Sequence, residues 1–132
     1  MDNCRTIDVE DALQALLNAD GIRAFAPPVP HDLDGGVLVT RTGGQEQSYV
    51  QDVHAVSFDC YAATDAEATI LAGEVTRWLR ALPGHAVGGV PCYQAEATAL
   101  PYLNTDPDHP TLPRCTFNAY VTTRVAHDRK EG

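Results

Sequence analysis

The side chains best suited to chemistry in this 132-residue chain are four cysteines, five histidines and a surplus of carboxylates, and their spacing brings few of them together. Cys4, Cys60, Cys92 and Cys115 stand far apart with no C-x-x-C pair. A zinc ribbon or finger needs such pairs, because one tight turn must present two thiolates to the metal. His31, His54, His85, His109 and His127 occur singly in loops or at strand ends, with no H-x-x-x-H or H-x-E pair, and read as solvated residues. Ser48 and Ser57 lack the G-x-S-x-G elbow of an activated serine. Asp59 and Glu96 are the carboxylates to consider as a pair for acid–base work, but both are better explained as exposed residues alternating with core positions. Asp106 and Asp108 could attract a cation, but no third hard ligand follows at EF-hand spacing. Gly43-Gly44 is not a phosphate cradle, since Lys130 is the only lysine and no G-K-[ST] exists. Catalysis is left only to a site assembled across the fold; no catalytic residue, cofactor or metal is expected.

The elements that would position these residues are organised around Val53–Leu82. Val56, Phe58 and Cys60 alternate with Ser57, Asp59 and Tyr61, the period of a strand with one buried face. Thr64 and Glu67 then form a capping box, and Ala68, Leu71, Ala72, Val75, Trp78, Leu79 and Leu82 recur at helical steps until Pro83-Gly84. Gly73 inside that helix costs about 1 kcal/mol against Ala, so it marks either a close backbone approach or plain tolerance.

An earlier helix is predicted over 9–20, capped by Asp8 and closed by Gly21. The proline-rich 24–36 reads as a stiff connector. Val37–Thr42 reads as a short strand ended by Gly43-Gly44, and 45–52 as a long exposed hairpin loop. A strand is expected over 90–98, with Pro91 at its start or on an edge. Pro101–Pro113 reads as a loop able to act as a contact arm. In the final strand Cys115, Phe117, Ala119, Val121 and Val125 alternate with Arg114, Thr116, Asn118, Tyr120, Thr122 and Arg124, so one face is buried and the other is wet or meets a partner. The expected fold is α+β: a mainly antiparallel sheet of about four strands with two helices on one face. It is read as one domain, ordered over 8–126 with tails at 1–7 and 127–132.

Nine basic against eighteen acidic residues give a formal charge of −9. That balance disfavours capture of nucleic acid or of an anionic membrane. No apolar run approaches the length of a transmembrane helix, and the N-terminal residues lack the pattern of a secretory signal, so cytosolic synthesis is expected.

The motifs D-x-x-x-x-L-L in the first helix, VLVTRTGG, VSFDCYA, an alanine-rich helix ending LPG, and a last strand after a proline-rich loop together resemble the tail terminator and tail-completion proteins of long-tailed bacteriophages, minor tail or head–tail joining components of phages and prophages. The resemblance runs from about Val9 to Val125. It implies a structural virion protein, made in the host cytoplasm, that forms a ring, generally hexameric, at the head-proximal end of the tail tube. Such a ring ends tube polymerisation and meets the neck. Its partners would be itself, tube protein and neck proteins, with DNA passing the lumen and no membrane involved. Assembly contacts are expected at Gly43, Gly44, Gln45, Glu46, Gln47 and Tyr49 in the polar loop, and at Tyr102, Asp106 and Arg114 around the proline-rich arm. The alternatives are a small ligand- or peptide-binding module with a closed apolar pocket, or a small enzyme.

Overall fold

The computed structural model of the chain describes residues 3–46 and 50–128. In chain order the elements are β1 (Asn3–Arg5), α1 (Val9–Ala19), β2 (Ala24–Phe25), β3 (Gly36–Glu46), β4 (Gln51–Tyr61), α2 (Asp65–Arg80), β5 (Ala86–Val87), β6 (Val90–Ala97), β7 (Tyr102–Asn104), β8 (Arg114–Arg124) and β9 (Ala126–Asp128).

Local chemistry accounts for both helices. The Asp11 amide donates to the Asp8 carboxylate at 3.1 Å, capping α1. Gly21 takes φ +82 and lets the Ile22 amide reach back to the Leu17 carbonyl at 2.9 Å. The Thr64 hydroxyl accepts from the Glu67 amide at 3.1 Å and starts α2. At its far end Arg77 and Arg80 complement the helix dipole. Asn18 brackets Ala24, accepting from its amide at 3.0 Å and donating to its carbonyl at 2.9 Å, so the end of α1 places β2.

The expected four-stranded, mainly antiparallel sheet is corrected here. Seven strands form one mixed sheet, curled into a half-barrel, in the order β2-β3-β4-β8-β6-β5, with β7 also paired to β8. β2 runs parallel to β3, and the other pairings in this sheet are antiparallel. The added strands are two or three residues long, too short for any periodicity to register. Gly43-Gly44 does not end β3 either. The register shifts by a bulge between Arg41 and Gly43, and the strand continues to Glu46 opposite Asp52. Gly44 holds φ +136, and a Cβ there would lie 2.3 Å from the Val53 carbonyl oxygen, so glycine is what allows the pairing to proceed. Much of the stretch read as a loop is therefore strand.

Both helices pack on the inner face of the sheet. Val9, Leu13 and Leu17 of α1 and Ala68, Ala72, Val75 and Leu79 of α2 bury against Val37, Val39, Val56, Phe58, Cys60, Cys115, Phe117, Ala119 and Val121. Phe58 and Phe117, cross-strand partners, stack with centroids 5.0 Å apart. Cys60 and Cys115 also face each other across β4 and β8 as buried free thiols, and burial pushes the Cys60 thiol far up. Both serve as small core hydrophobes, as does Cys92.

Within the segments read as tails, β1 pairs antiparallel with β9, Asn3 opposite Asp128. The amide of Arg41, on the edge of β3 beyond the short β2, donates to Glu10 Oε2 of α1 at 3.0 Å. A helix side chain thus occupies a backbone donor that the sheet edge would otherwise present.

Candidate assembly surface

Strand alternation carries Ser57, Asp59 and Tyr61 of β4 and Arg114, Thr116, Asn118 and Tyr120 of β8 to the outer face of the sheet. That face divides in two.

One half is covered. The proline-rich connector after β2 and the loop between β7 and β8 fold back onto it, and Leu33, Leu38 and Tyr61 form a second small core with Phe25, Val29 and Leu112. At its centre Asp106, only 7% exposed, accepts from the Tyr61 hydroxyl at 2.8 Å and from the Asp108 amide at 3.0 Å. His109 Nδ1 lies 3.1 Å from the same carboxylate, and its Nε2 reaches the Pro30 carbonyl at 3.2 Å, tying the two loops together. Arg114 donates to Asn104 Oδ1 at 3.1 Å and to the Thr105 carbonyl at 3.3 Å, with its guanidinium over the Tyr61 ring. Thr116 donates to Asp59 at 2.7 Å. Burial and the Asp106 hydrogen bond push the Tyr61 phenol up to about 12. For Asp106 itself burial acts upward, but the bonds from Tyr61, Asp108 and His109 and the charge of Arg114 outweigh it and hold the carboxyl below 3.8.

Among the described residues, nothing folds back over the other half. Tyr120, 49% exposed on a central strand, stands beside a groove lined by Gly44, Gln45, Val53 and Ala55. Around it lie Gln94, Glu96, Asn118, Thr122 and Arg124, so this face of a strongly acidic chain presents one carboxylate and one guanidinium among neutral side chains. Beyond β8, the run Ala99-Leu100-Pro101-Tyr102-Leu103 lies on the surface, with Leu100 87% and Tyr102 52% exposed.

The expected contact residues fare unequally. Gly43, Gly44, Gln45 and Glu46 belong to β3, with Gly44 and Gln45 at the groove. Gln47 and Tyr49 lie outside the described residues. Tyr102 is exposed on β7. Asp106 and Arg114 are turned inward and spent on holding the arm to the sheet, so they offer no free contact. Asp59 and Glu96 are not brought together: Asp59 sits opposite Thr116 and Glu96 opposite Tyr120, on different strands. Among the described residues no three His, Cys, Asp or Glu side chains gather where a metal ion could be held, and no helix is long and apolar enough to cross a membrane. Two histidines depart from the solvated reading. His109 is the loop tie just described. His54 is fully buried on the inner phase of β4, with Nε2 3.1 Å from Thr123 Oγ1 and Nδ1 without a partner. Tyr120 fell on the strand phase expected to be wet or partner-facing, whereas Ala55, its cross-strand partner, was not singled out in the sequence.

No protein-family model matches the chain, and a search of curated proteins finds no match.

Proposed function

We propose that this chain is a structural component of a phage tail, acting as a terminator that forms a ring on the head-proximal end of the tail tube and joins it to the neck in the virion. The observation that carries the reading is the bare half of the outer sheet face, poor in charge and centred on Tyr120, beside a hairpin of two eleven-residue strands. Depletion of charge around an exposed aromatic is the composition of a protein–protein contact. The groove there is open to solvent, which suits a polypeptide surface better than a small ligand that must be enclosed. The −9 charge fits a lumen through which DNA slides without sticking. The VLVTRTGG and VSFDCYA stretches that carry the resemblance form the paired strands β3 and β4, which flank this groove.

The test is a candidate tail tube protein polymerised with and without this chain and viewed by negative stain, with mass in solution measured alongside. Tubes shortened and capped at one end are the expected result. Unchanged tube lengths with no end-bound density would overturn the reading.

A further inference from the structure

We propose that the cleft bordered by α1, the end of α2 and the β5–β6 hairpin binds a basic amphipathic helix of a different protein. The cleft lies on the helical side of the sheet, away from the Tyr120 face, and its use does not rest on the terminator reading.

Helix α1 turns Val9, Leu13 and Leu17 into the core, which leaves Asp8, Asp11, Ala12, Ala15 and Leu16 along its shoulder at helical steps. A hollow of about 440 Å³ follows this shoulder, with Ala86 and the Gly88-Gly89 turn of the β5–β6 hairpin on its other side. A second hollow, of about 270 Å³, lies between Leu16 and Asp20 at the end of α1 and Trp78, Ala81 and Leu82 at the end of α2, with His85 beside them. Leu16 lines both, so they join into one cleft. From Asp8 to Asp20 it runs about 18 Å, the length of a helix of about twelve residues. Ala12, Ala15 and the two glycines keep its walls low, so a second helix can lie close along α1.

Charge sets the chemistry of the occupant. Among the described residues lining the cleft, Asp8, Asp11 and Asp20 are carboxylates, and none is lysine or arginine. The last turn of α1 carries no basic residue, so its negative dipole end adds to Asp20 instead of being offset. The Trp78 indole N–H orients that carboxylate at 2.7 Å, and a carboxylate so held still has lone pairs for a guanidinium or ammonium group. Indole is also the aromatic ring that attracts a cation most strongly. Between these acidic ends the floor is alanine and leucine, which a hydrated ion or a fully polar chain would leave uncovered. An amphipathic helix with a basic face matches both features. A second copy does not supply one: α1 holds no lysine or arginine, and α2 sets Asp65, Glu67 and Glu74 against Arg77 and Arg80.

The probe is a synthetic helix of about twelve residues, leucine along one face and arginine along the other. It carries no aromatic residue, so Trp78, the only tryptophan of the chain, reports binding through its emission. Titration into the full chain is expected to give a saturable change. Asp11→Asn and Asp20→Asn, the second keeping an oxygen for the indole, should each weaken binding about tenfold. Ala15→Arg, at an exposed helix position, should abolish it. Asp32→Asn removes the same charge from the exposed connector on the opposite face of the sheet and should leave binding unchanged. Circular dichroism confirms that each variant folds. A dissociation constant of about 1 mM or weaker would overturn the assignment. So would equal weakening by Asp32→Asn, which reports the general pull of a −9 surface, or equally tight binding of a peptide with serine in place of each leucine, the mark of a purely ionic contact.

Discussion

The Tyr61 hydroxyl donates to Asp106 Oδ2 across 2.8 Å, joining the end of a central strand to a loop 45 residues later in the chain. This bond and its neighbours convert a proline-rich excursion into the cover of a second core. Replacing Asp106 by Ala leaves Tyr61, His109 and Arg114 facing a lost partner in a buried place, and about 3 kcal/mol of stability should go with it. Because the folded carboxyl is held below its ordinary 3.8, its contribution is present above that value and is lost as pH falls through the folded value. Acid titration of urea midpoints should show wild type losing stability below about pH 4 and Asp106→Asn, weaker at neutral pH, losing less there.

His54 gives the opposite end of the acid range. Burial, and then the charge of Arg41, lower its pKa against the opposing pull of Asp52, so the folded chain keeps it neutral while the unfolded chain protonates near 6.5. The unfolded state binds the extra proton, so this stability is full above pH 6.5 and declines as pH falls below it. Thermal midpoints taken from pH 8 to pH 5 should fall for wild type. His54→Leu, which cannot titrate, should show a flatter profile over the same range.

Two glycines separate the conformational from the incidental. Gly44→Ala places a methyl against the Val53 carbonyl in a strand backbone at φ +136, and should cost roughly 2 kcal/mol or more. Gly73→Ala meets nothing within 4 Å and sits inside α2, so it should gain up to about 1 kcal/mol. Chemical denaturation of the two variants checks both signs.

Trp78, the only tryptophan, donates its indole N–H to the Asp20 carboxylate at 2.7 Å, linking α2 to the C-terminal cap of α1. The bond is at the surface, so Asp20→Ala should cost less than about 1 kcal/mol while changing the fluorescence of the folded chain. An unaltered emission spectrum would show that the indole does not rely on that carboxylate.

The long elements were legible because their signals are local. Asp8 and Thr64 cap the helices where capping chemistry requires, and the alternation in β4 and β8 names the inner core residue by residue. What stayed hidden depends on distance. Nothing near Tyr61 announces Asp106 and His109, because the loop that bears them returns only once the sheet exists. His54 looks polar in a period that buries it, and its partner Thr123 is 69 residues away. Gly43-Gly44 reads as a terminator until a bulge is considered, and strands of two residues leave no pattern to read. The candidate surface was half visible: the outward phase of β8 included Tyr120, but which rungs stay bare is decided by the loops that cover the others.

The pairing of β1 with β9, Asn3 opposite Asp128, puts the two outermost strands of the described chain side by side. Strands this far apart in sequence meet only once the intervening sheet has formed, so protection of the β1 and β9 amides from hydrogen exchange is a readout of the assembled fold.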